Sequence, residues 1–339
     1  MGPIFYNRCY IVKRIIISSI VLVEVVSITA LTIFIYRISR IPAILQNVGT
    51  RRSLAEEGVM SEPSDGLQFF FEPIPGRKRI SINAFGAEGI ASINNDSLND
   101  LQNYSVKKPK DTFRIVTLGD SWTYGLFVDT QQNWPDQIEN MFSENPLCKT
   151  YPNTEVINTA VDGYDLAYEV ERFIRRGAKY KPNLVLWDIA DMYRVDEKLL
   201  PLEYKYMNDF RKNYAEDNQG YTFIVALGWW RKAEAISIEQ MGRKNVENYQ
   251  LHELNKLRSL YKGNILIIND PKSLTSSQTR ILRTFVHSHQ NTYHYDSMKS
   301  IVGTHYVFPV DGHPTPEGHK KIAKAIFNYL QNHKNLFCP

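Results

Sequence analysis

From residue 111 onward, short continuous apolar runs alternate with stretches whose apolar positions recur every three or four residues. The first run, Phe113–Leu118, is rich in β-branched residues, as suits a strand buried on both faces. Trp134, Ile138, Met141 and Phe142 follow at helical spacing, which predicts an amphipathic helix entered through Pro135. Thr154–Ala160 is the second predicted strand. Leu166, Val170, Phe173 and Ile174 then line one face of a helix that stops at Gly177. Asn183–Trp187, Asn264–Ile268 and Tyr306–Val310 are the remaining predicted strands. The chain closes on a helix with Thr315 as N-cap, Pro316 in its first turn, and Ile322, Ala323, Ile326, Phe327 and Leu330 facing inward. Residues 195–262 are less regular. They hold the apolar run Tyr221–Trp230 and a Leu251, Leu254, Leu257 stripe, and are expected to form an insertion or lid. Strand–helix alternation predicts an α/β fold over 111–335, in three α/β/α layers around a mainly parallel sheet.

The region before 111 divides in two. Ile15–Tyr36 is apolar and long enough to cross a bilayer as a helix. Glu24 near its middle costs about 2.5–3.5 kcal/mol on an insertion scale, whereas the span's Ile, Leu, Val and Phe residues together return roughly 4–8. Insertion therefore wins, and 1–40 is expected to be a tail and single transmembrane anchor. No small-residue cleavage site follows the span at Tyr36–Arg40, so an anchor fits better than a cleaved leader. Residues 41–110 are turn-rich, with Pro63-Ser64-Asp65-Gly66 and Pro73-Ile74-Pro75-Gly76, and are expected to be a juxtamembrane linker.

Charge supports this division. The chain carries 40 Lys and Arg against 36 Asp and Glu. Seven of those bases and one of those acids (Glu24) lie in residues 1–52, so the basic excess flanks the apolar segment and the remainder is slightly acidic. That distribution suits membrane flanks and argues against nucleic acid as a partner. The short N-terminal tail favours placing the large domain that follows outside the cytoplasm. Three cysteines make no framework and no zinc spacing. Cys148 and Cys338 can pair in an oxidising compartment, and two unlinked thiols is the alternative.

Gly119-Asp120-Ser121 follows the first predicted strand directly, where open α/β folds carry their chemistry. Asp311-Gly312-His313-Pro314-Thr315 follows the last. A serine hydroxyl needs an imidazole to take its proton and a carboxylate to orient that imidazole. Ser121 is thus the candidate nucleophile, His313 the base and Asp311 the acid. The backbone amides of Ser121 and Gly163 are the candidate oxyanion donors. No cofactor or metal is expected. His287, His289 and His294 lack a completing ligand spacing and read as a polar loop, and His319 as a surface or packing residue.

These blocks resemble the SGNH, or GDSL, hydrolase superfamily. The resemblance lies in Phe113–Gly125 with Gly119-Asp120-Ser121, in Val156–Tyr164 with Gly163, and in Asp311–His319 with Asp311 and His313. Asn83-Ala84-Phe85-Gly86 also resembles an Asn-x-x-Gly turn that precedes this domain in membrane-anchored bacterial members. The resemblance implies a serine esterase working through an acyl-enzyme, on an O-acyl ester of an envelope glycan or lipid, as hydrolase or acyltransferase. One block departs. Ala190 stands where the family places an asparagine that donates to the oxyanion, beside Asp191. Losing such a donor costs about 10²–10³ in turnover, so a degenerate scaffold that binds a glycan or partner is the rival expectation.

Overall fold

Thr112–Leu118 and Leu184–Asp188 are buried at every position, as strands covered on both faces must be. The structure, a computed structural model, describes residues 27–29, 58–83, 86–189, 192–203, 205, 223–269, 274–299, 301, 303–309 and 312–338. Residues Arg51–Asp217 and Ile224–Pro339 make one compact unit. It opens on two antiparallel pairs, Val59–Ser61 (β1) with Phe71–Pro73 (β2), and Lys78–Ile82 (β3) with Glu88–Ser92 (β4). Thr112–Leu118 (β5) follows, then the short helix Ser121–Tyr124 (α1) and Trp134–Glu144 (α2). Asn153–Asn158 (β6), Leu166–Arg172 (α3) and Leu184–Asp188 (β7) come next. The helices Phe223–Met241 (α4) and Arg243–Leu260 (α5) occupy the predicted insertion. Asn264–Ile268 (β8), Ser276–Ser288 (α6), Thr292–Tyr295 (β9), Pro316–Asn332 (α7) and Lys334–Phe337 (α8) complete the unit.

β6, β5, β7, β8 and β9 lie side by side in that order, and every pairing is parallel. Alternate side chains point to opposite faces. Phe113, Ile115, Leu184, Leu186, Leu266 and Ile268 pack with Ile138 and Phe142 of α2 and Ile322 and Ile326 of α7. Val116, Leu118, Val185, Trp187, Ile265 and Ile267 pack on the other face with residues of α3, α5 and α6. The expected three-layer α/β/α arrangement is therefore present.

Several expectations need correction. The fifth strand is Thr292–Tyr295, within the segment expected to be a polar loop, and not Tyr306–Val310. Thr-Tyr-His-Tyr is rich in residues that suit a pleated, half-buried edge. Tyr306–Phe308 is instead spent on tight turns: Phe308 N–H donates to the His313 carbonyl at 2.8 Å, and Val307 only bridges Pro314. Ile174 is exposed, because the helix widens into a π-turn over Phe173–Gly177 and rotates it off the buried stripe. Cys148 and Cys338 are disulfide-bonded, with Cα atoms 5.5 Å apart. Cys9 and nearly all of Ile15–Tyr36 lie outside the described residues, and among the described ones no helix is long and apolar enough to cross a membrane.

The segment before β5 is bound into the unit by buried charge. Arg172 of α3 is fully buried and donates to Glu72, to the Ser97 carbonyl and to the Thr159 carbonyl. A second buried group lies at α2. Tyr104 Oη donates to Asp100 at 2.8 Å, and Glu139 Oε1 accepts from Val156 N–H at 3.3 Å. Burial, then the nearby Asp100 carboxylate, pushes the Glu139 carboxyl up to about 8. A carboxyl raised in the folded state holds its proton there and releases it on unfolding. Its contribution is complete below pH ~4.5 and is lost as pH rises through about 8. Unfolding midpoints in urea should therefore fall between pH 5 and pH 9, and Glu139→Gln should flatten that slope. A slope unchanged by the variant would contradict this account.

Candidate active site

β5 delivers its chain end to a turn that only glycine can make. Gly119 has φ +154°, and a Cβ there would lie 2.5 Å from Thr123 Oγ1 and 2.9 Å from Asp188 Cβ. Asp120 then caps α1, its carboxylate accepting from Trp122 N–H at 2.9 Å. Ser121 is the first residue of that helix, half-buried at the C-terminal edge of the sheet.

From the other end of the chain, the turn before α7 brings the imidazole. Thr315 N–H donates to the Tyr306 carbonyl at 2.8 Å, and the Thr315 hydroxyl accepts from Gly318 N–H at 3.1 Å. Gly318 is pressed so close that a Cβ would lie 2.1 Å from Tyr306 O. This packing aims His313 at Ser121: Nε2 stands 2.8 Å from Ser121 Oγ, across 192 positions of sequence. That is hydrogen-bond distance for a base and the proton it removes.

Phe127 completes the setting, and sequence spacing had no signal for it. Its ring meets the His313 ring edge-on, with centroids 5.3 Å apart, and meets Phe308 at 6.5 Å. To do so it adopts φ +67°, a conformation costing a bulky residue roughly 1–2 kcal/mol. Its N–H donates to Ser81 Oγ at 3.0 Å, which helps hold that geometry.

The loop after β6 runs alongside. Thr159 N–H donates to the Thr117 carbonyl at 3.1 Å and Val161 N–H to the Gly119 carbonyl at 3.3 Å. Gly163 follows with φ +83°. Among the described residues, neither the Ser121 amide nor the Gly163 amide is engaged by an acceptor. Both sit at the C-terminal ends of adjacent parallel strands, the expected place for oxyanion donors. Asp311, Ala190 and Asp191 lie outside the described residues.

Other polar groups around the site are held in supporting contacts. Asp188 accepts from Thr123 Oγ1 at 2.9 Å. Glu169 accepts from Trp187 Nε1, and burial holds its carboxyl well above the usual range. His319 is fully buried, so it is a packing residue rather than a surface one, and neither ring nitrogen meets a partner among the described residues. Burial, with the nearby His313, lowers it to about 3, which makes it a weak proton acceptor. His287 and His289 donate to carbonyls one helical turn back, and His294 Nε2 donates to Asn269 Oδ1 at 2.6 Å. Among the described residues no three His, Cys, Asp or Glu side chains are grouped to hold a metal ion. Arg194 lies over the Trp230 ring at 5.0 Å.

No family model matches this chain, and no curated protein matches it. Among solved structures, TesA is 14% identical, with 65% of this chain and 98% of that chain covered at a TM-score of 0.43. The psychrotrophic esterase EstA from Pseudoalteromonas sp., inhibited by monoethylphosphonate, is 15% identical, covering 66% and 98% at 0.40. A GDSL-like lipase from Bacteroides thetaiotaomicron is 12% identical, covering 65% and 88% at 0.35. At these identities and TM-scores the similarity assigns neither substrate nor activity. Solved structures similar to this chain include acylhydrolases and esterases, GDSL-type members among them.

Proposed function

We propose that this chain is a serine ester hydrolase of the SGNH type. The contact that carries this reading is Ser121 Oγ to His313 Nε2 at 2.8 Å. In the reaction, Oγ bonds to the acyl carbon while Nε2 takes the hydroxyl proton, and the carbonyl π pair moves onto oxygen. The Ser121 and Gly163 amides meet that oxyanion. Its collapse breaks the ester C–O bond, and the proton on His313 passes to the leaving alkoxide. Water, or an acceptor hydroxyl in a transferase version, repeats the sequence on the acyl-enzyme and restores Ser121. Asp311, two residues from the base, is the acid assigned to orient its Nδ1–H.

The substrate class we infer is an O-acyl ester on an envelope glycan or lipid. The apolar Ile15–Tyr36 stretch supports a single-pass anchor, and the Cys148–Cys338 bond supports a domain on the oxidising side of the membrane. The test is covalent labelling of the full-length chain with an organophosphonate, read by mass spectrometry. A phosphonyl adduct on wild type that disappears in Ser121→Ala is expected. Labelling that persists in the variant would reject Ser121 as nucleophile. An unlabelled wild type would favour a binding scaffold.

A further inference from the structure

The β3–β4 hairpin lies outside the sheet, yet one of its faces touches the supports of nucleophile, base and oxyanion loop. Arg79, Ser81, Gly89 and Ala91 share that face, because Arg79 pairs with Ala91 and Ser81 with Gly89 in the register. Asn83 and Gly86 close the hairpin: Gly86 N–H donates to the Asn83 carbonyl at 3.0 Å, and Ala87 N–H to Asn83 Oδ1 at 3.0 Å. Toward the nucleophile, Ser81 Oγ accepts from Phe127 N–H at 3.0 Å, and Phe127 packs on His313. Gly89 lies backbone to backbone on the same loop, since a Cβ there would stand 2.2 Å from Val128 N. Ile90 N–H donates to Asp129 Oδ1 at 3.0 Å and Ser92 N–H to Thr130 Oγ1 at 2.7 Å.

Toward the oxyanion loop the contact is ionic. The Arg79 guanidinium donates through both terminal nitrogens to both carboxylate oxygens of Asp162, the Nη2–Oδ2 contact being 3.1 Å. The guanidinium also lies 5.8 Å from the Tyr124 ring centroid, above a residue of α1. Both partners of the pair are largely shielded, with side-chain exposures of 19% and 17%. A fork-to-fork pair fixes orientation as well as distance. Asp162 directly precedes Gly163. The same turn is held on either side, by Val161 N–H on the Gly119 carbonyl and by Tyr164 Oη on the Phe71 carbonyl.

We propose that Arg79 is a positioning residue for the oxyanion hole: by clamping Asp162 it fixes the Gly163 amide where the oxyanion forms. The inference rests on the esterase reading above. With alanine at 190, the donors that reading names are two backbone amides, so the placement of each counts for more.

The experiment compares the full-length wild type with Arg79→Ala, Arg79→Lys and Asp162→Asn. It reads kcat and KM on a short p-nitrophenyl ester, the pH profile, the phosphonylation rate, and hydrogen exchange of the peptide spanning 159–165. Arg79→Ala should lower kcat and phosphonylation by about 10²-fold. KM and the pH midpoint should stay, and exchange across 159–165 should quicken. Arg79→Lys keeps the charge but not the fork and should recover part of the loss. Should Arg79→Ala not fold, Asp162→Asn is nearly isosteric and carries the same expectation. Unchanged kcat in a labelled, folded variant overturns the positioning role and leaves the esterase reading intact. A loss confined to KM, or one that tracks melting temperature, overturns it too. Wild type that neither turns over nor labels removes the esterase reading and this inference with it.

Discussion

Replacing His313 by alanine should lower ester turnover by about 10⁶-fold while leaving the fold in place. The size of the effect follows from the geometry. Among the described residues one imidazole stands at hydrogen-bond distance of Ser121 Oγ, at 2.8 Å, and a neutral serine hydroxyl is a poor nucleophile without a base. His319 is a poor substitute, because burial depresses its pKa to about 3. His319→Ala should therefore leave ester turnover close to the wild-type rate. Residual activity in His313→Ala of about 10³–10⁴ over water would come from binding and the oxyanion amides. The check is kcat on a short ester for wild type and His313→Ala, together with a melting curve for each. If His313→Ala turned over ester at the wild-type rate, the 2.8 Å contact would be structural and the catalytic reading would fall.

Much of this arrangement is legible in the sequence, and what is not has physical reasons. Phe113–Leu118, Asn183–Trp187 and Asn264–Ile268 are mostly apolar because central parallel strands are covered on both faces, so composition alone marks them. The α2 and α7 stripes are legible because each helix buries one face. The edge strand β9 is not, since a strand covered on fewer sides tolerates polar residues, and Thr-Tyr-His-Tyr looks like a loop. Ser121 and His313 were nameable from local chemistry, each standing just after an apolar run, and the fold brings them together. Phe127 was not, because its role depends on a left-handed backbone at a non-glycine residue, which no spacing encodes. Arg79 was hidden for a similar reason. Its partner Asp162 is 83 positions away, and a lone arginine in an alternating strand is ordinarily a solvated one. Asp311 and Ala190 lie outside the described residues and stay expectations of the sequence.

Cys338→Ser should destabilise the unit by about 5 kcal/mol, the largest stability effect expected of a single change here. The bond joins residues 190 positions apart, so it closes most of the folded unit into one loop. In the chain-entropy account, longer loops gain more, and the gain grows only slowly beyond this length. The bridge ties the tail after α7 to the loop after α2, and those two helices pack on one sheet face, with Phe142 and Phe327 rings 5.1 Å apart. Without the bond, that packing must hold the C-terminal helix unaided. A loss of this size lowers the melting temperature by roughly 10–20 °C in a unit of this size. A reductant should produce the same drop in wild type and none in Cys338→Ser. Turnover at low temperature should be unaffected, because His313 stands before the N-terminus of α7 and Cys338 beyond its other end, a helix of 17 residues apart, about 25 Å. A melting temperature indifferent to reductant would mean that α2–α7 packing suffices. The expected sensitivity instead ties the stability of this domain to an oxidising compartment, as the localisation proposed above requires.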